Sequence, residues 1–184
     1  MTNGHLGHNN PGRATCDLAV DLIKAFEGYS STIYICAGGY ETIGWGHLVE
    51  KKERAGFLKG VDKKEAEFLL KYDLRESEGS VERLITQPLT DNQHGALVSF
   101  TFNLGGGALQ SSTLRRVLNR GDYDEAANQF HRWVFAGGKK LRGLIRRRAA
   151  EAAMFMSESP APAREPGRKL FFMNPRKAAI LRGK

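Results

Sequence analysis

The first amphipathic segment of the chain runs from Asp17 to Phe26. Its apolar residues recur at intervals of three and four positions, which is the spacing of one face of an α-helix. Thr15 or Asp17 is available to cap its start, and Gly28 favours its termination. The pattern therefore predicts a short helix that carries a carboxylate, Glu27, at its C-terminal end.

A different pattern follows between Thr32 and His47, where isoleucine, tyrosine, threonine and glycine predominate. This composition is typical of short twisted strands. The Ala37-Gly38-Gly39 stretch predicts a turn within them.

The rest of the chain reads as helices with recognisable starts. Capping-box patterns at Asp62 and Thr90 predict one helix that extends to about Glu78 and a second, nearly all-apolar helix that Gly105 stops. Three further helices are predicted. They begin after Ser112, after Asp122 (ending near Trp133) and at Leu141, the last reaching Met156.

Composition divides the chain into three parts. Residues 1–15 are polar and predict a flexible extension, and residues 16–157 form the predicted folded domain. Residues 158–184 begin with a proline-containing linker and continue as a basic tail, predicted to be flexible. Within the tail, Pro175 argues against one continuous helix.

The 184 residues suffice for one ordinary domain or two small lobes. The sequence contains no run of about 18 apolar residues, so no transmembrane helix is expected. The N-terminus lacks the apolar core of a secretory signal. We therefore expect a cytoplasmic protein, in which Cys16 and Cys36 remain thiols. Neither cysteine has a second Cys or a spaced His nearby that would suggest a metal site.

The formal charge of +8 is unevenly distributed. The stretch from Ser159 to Lys184 alone carries seven basic residues and one acidic residue. A basic excess favours polyanions in general, including nucleic acid, anionic lipid, teichoic acid and lipopolysaccharide. The sequence does not choose among them.

One group of three residues points to chemistry. Eight residues separate Glu27 from Cys36, and five separate Cys36 from Thr42. A lone glutamate at a helix end is ordinarily a solvated carboxylate, but this spacing resembles the active-site segment of T4-type phage lysozymes. The likeness is greatest to the branch that includes the P22 and P21 endolysins, whose pattern is Glu, eight residues, Asp or Cys, five residues, Thr.

The resemblance implies a catalytic role for each of the three residues. Glu27 would be the general acid that protonates the leaving oxygen of a glycosidic bond. Thr42 would hold the attacking water, assisted by Cys36, and the family pattern implies inversion at the anomeric carbon. Most family members have Asp at the position of Cys36; a thiol is mostly neutral at neutral pH unless its surroundings lower its pKa. The alternative for Cys36 is a small buried apolar residue.

Two further blocks extend the resemblance over residues 16–156. They are the stretch from Ser99 to Gly105, and the stretch from Trp133 to Leu144 with the following Arg146-Arg147-Arg148 and Glu151. The resemblance implies that Arg147 or Arg148 pairs with Glu27 across a cleft, and it places both arginines among the substrate-binding residues.

Other positions are implied more loosely. Leu48, Phe102 and Thr113 fall where the family lines its sugar groove, although the apolar ones suit a core equally well. His47 invites a catalytic interpretation, but the resemblance implies a structural ion pair between His47 and Asp73.

For the whole protein, the resemblance implies a mostly α, α+β lysozyme-like fold. A small sheet-bearing N-terminal lobe and a helical C-terminal lobe would flank a cleft. The implied activity is that of an endolysin: an N-acetylmuramidase that cleaves the β-1,4 bond between N-acetylmuramic acid and N-acetylglucosamine in peptidoglycan and so lyses bacteria. The protein would be a monomer without cofactor, metal or specific nucleic-acid partner, and would need a holin to leave the host cytoplasm.

Two alternatives remain open at this point. A lytic transglycosylase also uses a glutamate but needs no water, and Thr42 argues against it. A wall- or polyanion-binding protein that has lost catalysis is the other, and the intact Glu27 and Thr42 argue against that. For the basic tail we expect either contact with an anionic envelope or no role.

Overall fold

The computed structural model describes residues 12–36 and 38–157. It is α+β and mostly helical, as expected from the sequence. The elements in chain order are α1 (Asp17–Glu27), β1 (Ser30–Ile35), β2 (Glu41–Gly44), β3 (His47–Leu48), a 3-10 helix (Gly56–Lys59), α2 (Lys63–Leu84), α3 (Asp91–Leu104), α4 (Gly106–Ser111), α5 (Thr113–Leu118), α6 (Tyr123–Phe130), β4 (Phe135–Ala136), β5 (Lys139–Lys140) and α7 (Arg142–Met156).

The strands form two small antiparallel sheets. In the first, the order is β1-β2-β3, and Thr42 lies opposite both Tyr34 and Leu48. The second is the β4–β5 hairpin, which the sequence patterns did not predict. Its tip consists of Gly137 and Gly138, both with positive φ (55° and 74°), as a tight two-residue turn between right-twisted strands requires.

Two clusters of buried apolar residues define two lobes. The small cluster comprises Ile43, Val61 and Ala66, between the first sheet and the start of α2. The large cluster is built from α1 and the helices that follow the sheet. α2 contributes Ala66 to the small cluster and Leu74 to the large one, so this helix joins the lobes.

Both predicted capping boxes are present, at Asp62 and at Thr90. α2 nevertheless continues six residues beyond the predicted Glu78, because its last turns are buried: Val81 has no exposed surface. α4 was not predicted either. It begins directly after Gly105, whose φ of 84° ends α3 as expected.

The start of α1 differs from the prediction. The N-cap is Cys16, without a side-chain hydrogen bond to the helix, and Thr15 instead donates to Glu78 on α2 through its amide (2.7 Å) and hydroxyl (2.6 Å). Arg13 also binds across the chain, from its guanidinium to the carbonyl of Leu89 and to the Asp91 carboxylate. Residues 13–15 are therefore part of the folded structure and not of a free extension.

The remainder of the predicted N-terminal extension, the basic tail from 158 and residue 37 of the predicted turn lie outside the described residues. Within the part of the chain that the structure describes, no helix combines the length and apolarity needed to cross a membrane.

Candidate active site

Glu27 and Arg147 meet between the two lobes. Glu27 is the last residue of α1, and Gly28 ends that helix with a φ of 72°. Arg147, on the second turn of α7, donates from Nη1 to Glu27 Oε1 at 2.5 Å. The Arg147 side chain is 4% exposed and that of Glu27 is 23% exposed. The carboxylate is thus held from its protein side and remains accessible to solvent.

The second oxygen of Glu27 is not part of this ion pair. A Cβ built on Gly46 would lie 4.0 Å from Oε2, so the residue at this position borders the free oxygen. Gly46 has a φ of 95°, a backbone conformation that favours glycine. The absence of a side chain there leaves room beside Oε2.

Arg147 is itself oriented by a buried carboxylate. Glu151, one turn further along α7, accepts from Arg147 Nε through Oε1 at 3.2 Å. The Ser99 hydroxyl donates to the same oxygen at 2.7 Å, and Arg147 Nη2 donates to the Ser99 carbonyl at 3.3 Å. Two contacts, to Glu151 on α7 and to Ser99 on α3, therefore fix Arg147 within the helical lobe and leave Nη1 directed at Glu27.

Arg148 completes this cluster from the other side of Glu151. Its Nη2 donates to Glu151 Oε1 and to Asn103 Oδ1, each at 3.0 Å, and its Nε lies 2.9 Å from Glu151 Oε2. Its guanidinium also stacks 5.0 Å from the Phe100 ring. Burial lowers the pKa of Arg148 to about 10, and burial raises the pKa of Glu151. At neutral pH Arg148 therefore stays charged.

The sequence left open which arginine pairs with Glu27, and the structure assigns that contact to Arg147. The prediction that Arg148 binds substrate does not suit its position, because its side chain is fully buried and presents no surface to a ligand. Arg148 instead neutralises Glu151. Together with the partly exposed Glu27, the buried Arg147, Arg148 and Glu151 make a group of two basic and two acidic side chains.

Glu151 is the residue of this cluster to which the sequence patterns assigned no role. Its spacing of three and four positions from Arg148 and Arg147 was the available signal, since such residues are neighbours on a helix surface. The same spacing is common on solvated helix faces, so only the burial of Glu151, at 0% exposure, distinguishes it.

Cys36 and Thr42 form a second group, on the sheet. Thr42 is buried on β2, and its hydroxyl donates to the Tyr40 carbonyl at 3.1 Å. Cys36 follows the last residue of β1, and its amide donates to the same carbonyl at 2.9 Å. A hydrogen bond with the Thr42 side chain lowers the pKa of the Cys36 thiol, and contacts with the backbone of Tyr40 and Gly38 lower it further.

The three predicted groove residues lie on three different elements. Leu48, on β3, is 56% exposed and lies opposite Thr42. Phe102, on α3, is half-buried and packs against the large core. Thr113 begins α5, and Arg116 Nη2 donates to its hydroxyl at 2.7 Å. Their predicted contact with a sugar stays a prediction.

The predicted contact between His47 and Asp73 is present. His47 Nδ1 lies 2.9 Å from Asp73 Oδ2, and Nε2 lies 3.6 Å from a Glu53 oxygen. The hydrogen bond with Asp73 raises the pKa of His47, against the opposing effect of burial. This pair ties β3 to α2, which suits the predicted structural role.

Two surface pockets lie elsewhere. One of about 600 Å³ lies between residues 12–17 and α2, and one of about 340 Å³ lies between β1 and the 3-10 helix. Glu27, Cys36 and Thr42 line neither of them. Among residues 12–36 and 38–157, no three His, Cys, Asp or Glu side chains form a group able to hold a metal ion.

Comparison with known proteins places this arrangement in a family. The model of the family described as phage lysozyme matches residues 24–151. The endolysin of Bacillus phage B103 is 39% identical over 149 residues, covering 79% of this chain and 56% of that protein. The endolysin of Salmonella phage P22 is 38% identical over 140 residues, covering 75% of this chain and 94% of that protein. The chain thus spans only about half the length of the B103 relative.

Solved structures also show a similarity to lysozyme-type proteins. The muramidase domain of SpmX from Asticaccaulis excentricus superimposes with a TM-score of 0.70 at 35% identity, covering 78% of this chain and 98% of that domain. The resemblance inferred from the sequence motifs is confirmed by the family match and by the P22 relative. The chain belongs to the phage lysozyme family.

Proposed function

We propose that this protein is an endolysin with N-acetylmuramidase activity. It hydrolyses the β-1,4 bond between N-acetylmuramic acid and N-acetylglucosamine in peptidoglycan and thereby lyses bacterial cells. Relatives named as endolysins and a structural neighbour named as a muramidase domain support this activity.

The observation that carries the proposal is the environment of Glu27. Glycoside hydrolysis needs an acid that protonates the leaving oxygen while both sides of the sugar remain reachable. Arg147 engages Oε1 and leaves Oε2 beside Gly46. In the proposed mechanism Glu27 donates a proton to the glycosidic oxygen. Arg147 keeps the carboxyl in one orientation throughout.

Water activation is proposed for the sheet lobe. The Thr42 hydroxyl would hold the water that attacks the anomeric carbon, and Cys36 would assist it. The lowered pKa of Cys36 supports this role, because a larger thiolate fraction makes the sulfur a better hydrogen-bond acceptor. Attack from the side opposite the leaving group would invert the anomeric configuration.

The proposal also covers the residues that bind the glycan and the place where the protein acts. Leu48, Phe102 and Thr113 would contact the glycan, and Arg147 would contact it beside Glu27. The protein would act as a monomer, without cofactor, and remain in the host cytoplasm until a holin admits it to the wall. The basic tail, residues 158–184, would contact the anionic envelope.

Mass spectrometry of the products from purified peptidoglycan tests the activity, with Glu27→Gln digested in parallel. We expect muropeptides with reducing ends from the native protein and a rate about 10²- to 10⁴-fold lower from the variant, as is typical when a general acid is lost. Circular dichroism should show an unchanged fold.

Two results would contradict the proposal. Products lighter by about 18 Da, one water, would indicate a transglycosylase, which closes the ring with the sugar's own hydroxyl. No products from either protein would indicate a binding role.

Truncation after Ser157 tests the role of the tail separately. Activity should fall on intact Gram-negative cells and remain on purified wall, and an equal loss on both would exclude the envelope role.

A further inference from the structure

A basic and apolar surface surrounds the β4–β5 hairpin and the start of α7. No Asp or Glu occurs between Glu125 and Glu151, a stretch that contains seven arginines and lysines. Arg147 and Arg148 are buried in the cluster described above. We define the cationic hairpin surface as the other five basic residues with three exposed apolar neighbours: Arg132, Lys139, Lys140, Arg142 and Arg146, with Phe135, Leu141 and Ile145.

These side chains are accessible and uncompensated. All four strand residues of the hairpin are exposed, and Phe135 is 62% exposed. Among the described residues, none of the five cations takes part in an ion pair. Three of the lysines outside this surface, Lys24, Lys52 and Lys71, each pair with a carboxylate.

Backbone geometry sets basic and apolar side chains side by side. The hairpin register places Phe135 directly opposite Lys140, so their side chains share one face of the ribbon. On α7, the Ile145 amide donates to the Leu141 carbonyl at 3.0 Å, and residues four apart lie on the same helix face. Leu141 with Ile145 and Arg142 with Arg146 therefore form two adjacent stripes.

Folding stability does not account for this arrangement. Positive side chains near a helix N-terminus are disfavoured by the helix dipole, yet Arg142 and Arg146 lie in the first two turns of α7. The N-cap, Leu141, offers no side-chain hydrogen bond. Exposed Phe135 and Leu141 also leave apolar area in water. Each feature costs free energy in the isolated protein, and each becomes favourable against a partner that is anionic and apolar.

We propose that the cationic hairpin surface binds the surface of an anionic phospholipid bilayer. Lipid phosphates match the five unpaired cations, and the interfacial layer beneath them accommodates Phe135, Leu141 and Ile145. The apolar residues favour a bilayer over a soluble polyanion, which would satisfy the charges and leave those three side chains in water. This inference does not depend on the hydrolase activity.

Vesicle co-sedimentation with the full-length protein tests it. The vesicles are phosphatidylcholine alone or phosphatidylcholine with phosphatidylglycerol. The test variant is Lys139→Ser with Lys140→Ser. The matched control is Lys51→Ser with Lys52→Ser, which removes the same charge from an exposed turn outside the surface. Both variants keep the basic tail, so its contribution cancels.

We expect the test variant to bind anionic vesicles on the order of tenfold or more weakly than the control, since each basic residue near the surface contributes appreciably. Phe135→Ser should also weaken binding while leaving the charge unchanged. Equal binding by test and control variants would overturn the proposal. The proposal would also be overturned if the test variant lost binding to peptidoglycan but kept binding to vesicles, because the surface would then recognise a wall polymer. Thermal melts verify that each variant is folded.

Discussion

The two halves of the described chain differ in charge, and so do the two lobes. Residues 12–84, with α1, the first sheet and α2, contain 11 basic and 13 acidic residues, whereas residues 85–157 contain 10 basic and 5 acidic residues. In the sheet lobe the ion pairs are at least partly exposed, as between Arg54 and Glu41. The helical lobe buries Arg147, Arg148 and Glu151 almost completely. At its surface Lys139, Lys140 and Arg142 form no ion pair with any residue that the structure describes.

Two buried histidines, His47 and His94, show the same contrast. His47, on the sheet, is paired with Asp73, which raises its pKa. His94, on α3, is 2% exposed, and neither of its ring nitrogens has a hydrogen-bond partner among residues 12–36 and 38–157. Burial lowers the pKa of His94 to about 4. One lobe thus stabilises a charged histidine and the other excludes the charge. The buried charged cluster of the candidate site, formed by Arg147, Arg148 and Glu151, therefore belongs to the helical lobe.

The largest expected effect comes from breaking the buried cluster. Glu151→Gln removes the carboxylate between Arg147 and Arg148 and leaves two buried cations with only Glu27 to balance them. We expect a loss of about 3–5 kcal/mol in the free energy of unfolding, the usual cost of removing one partner of a buried pair. Urea unfolding measures it.

The activity of Glu151→Gln and two further variants test whether the cluster acts on the site as well as on stability. Wall hydrolysis should also fall, because Arg147 loses the group that orients it, and Glu151→Asp should recover part of both losses. Glu76→Gln, on an exposed position of α2, serves as the control. A Glu151→Gln variant as stable as that control would show that the cluster does not hold the helical lobe together.

The second effect concerns the unpaired histidine. His94 is neutral in the folded protein and protonates in the unfolded chain below about pH 6.5, so the unfolded state binds more protons between pH 6.5 and 4. Stability therefore falls as the pH falls through this range, by about 2 kcal/mol between pH 7 and pH 5. His94→Leu should abolish this part of the acid sensitivity.

Urea unfolding of both proteins at the two pH values provides the measurement. Arg13, Glu82 and Asp91 are the charges that act on His94, and all three remain in the variant. An identical loss in the native protein and the variant would mean that His94 takes a proton while folded.

In the sheet lobe we expect a smaller pH dependence of stability, with the opposite sign to that of His94. Because the pKa of His47 is raised, its pair with Asp73 is fully stabilising below the unfolded value of about 6.5 and fades as the pH rises through the folded value. Asp73→Asn should cost about 1 kcal/mol at pH 6 and less at pH 9. Titration of His47 by NMR in both proteins tests the cause; an unchanged His47 pKa in the variant would rule out this pair.

The smallest effect is expected at Cys36. Cys36→Asp should remain active, since a carboxylate can also assist a water held by Thr42. Cys36→Ala should lose part of the rate, by less than about tenfold, which is below the roughly 10²- to 10⁴-fold contribution of a proton-transfer group because Thr42 still holds the water. Initial rates on purified wall decide the point. If Cys36→Ala is as fast as the native protein, the position is passive and the sheet lobe contributes Thr42 alone.

Local sequence was sufficient for several elements. The capping boxes at Asp62 and Thr90 and the glycine at 105 act through neighbouring backbone groups, so their effects could be predicted without a structure. The ending of α2 could not, because the burial of Val81 depends on helices distant in sequence. The β4–β5 strands are two residues each, too short to produce an alternating pattern.

The motif of Glu27, Cys36 and Thr42 could be found without a structure, because it lies within 16 consecutive residues. The choice of Arg147 over Arg148 as the partner of Glu27, 120 positions away in the chain, depends on tertiary packing. Adjacent residues on a helix point about 100° apart, so packing of α7 against α1 and α3 selects which one reaches the acid. The same packing buries Glu151 and turns an ordinary helix spacing into the support of the candidate site.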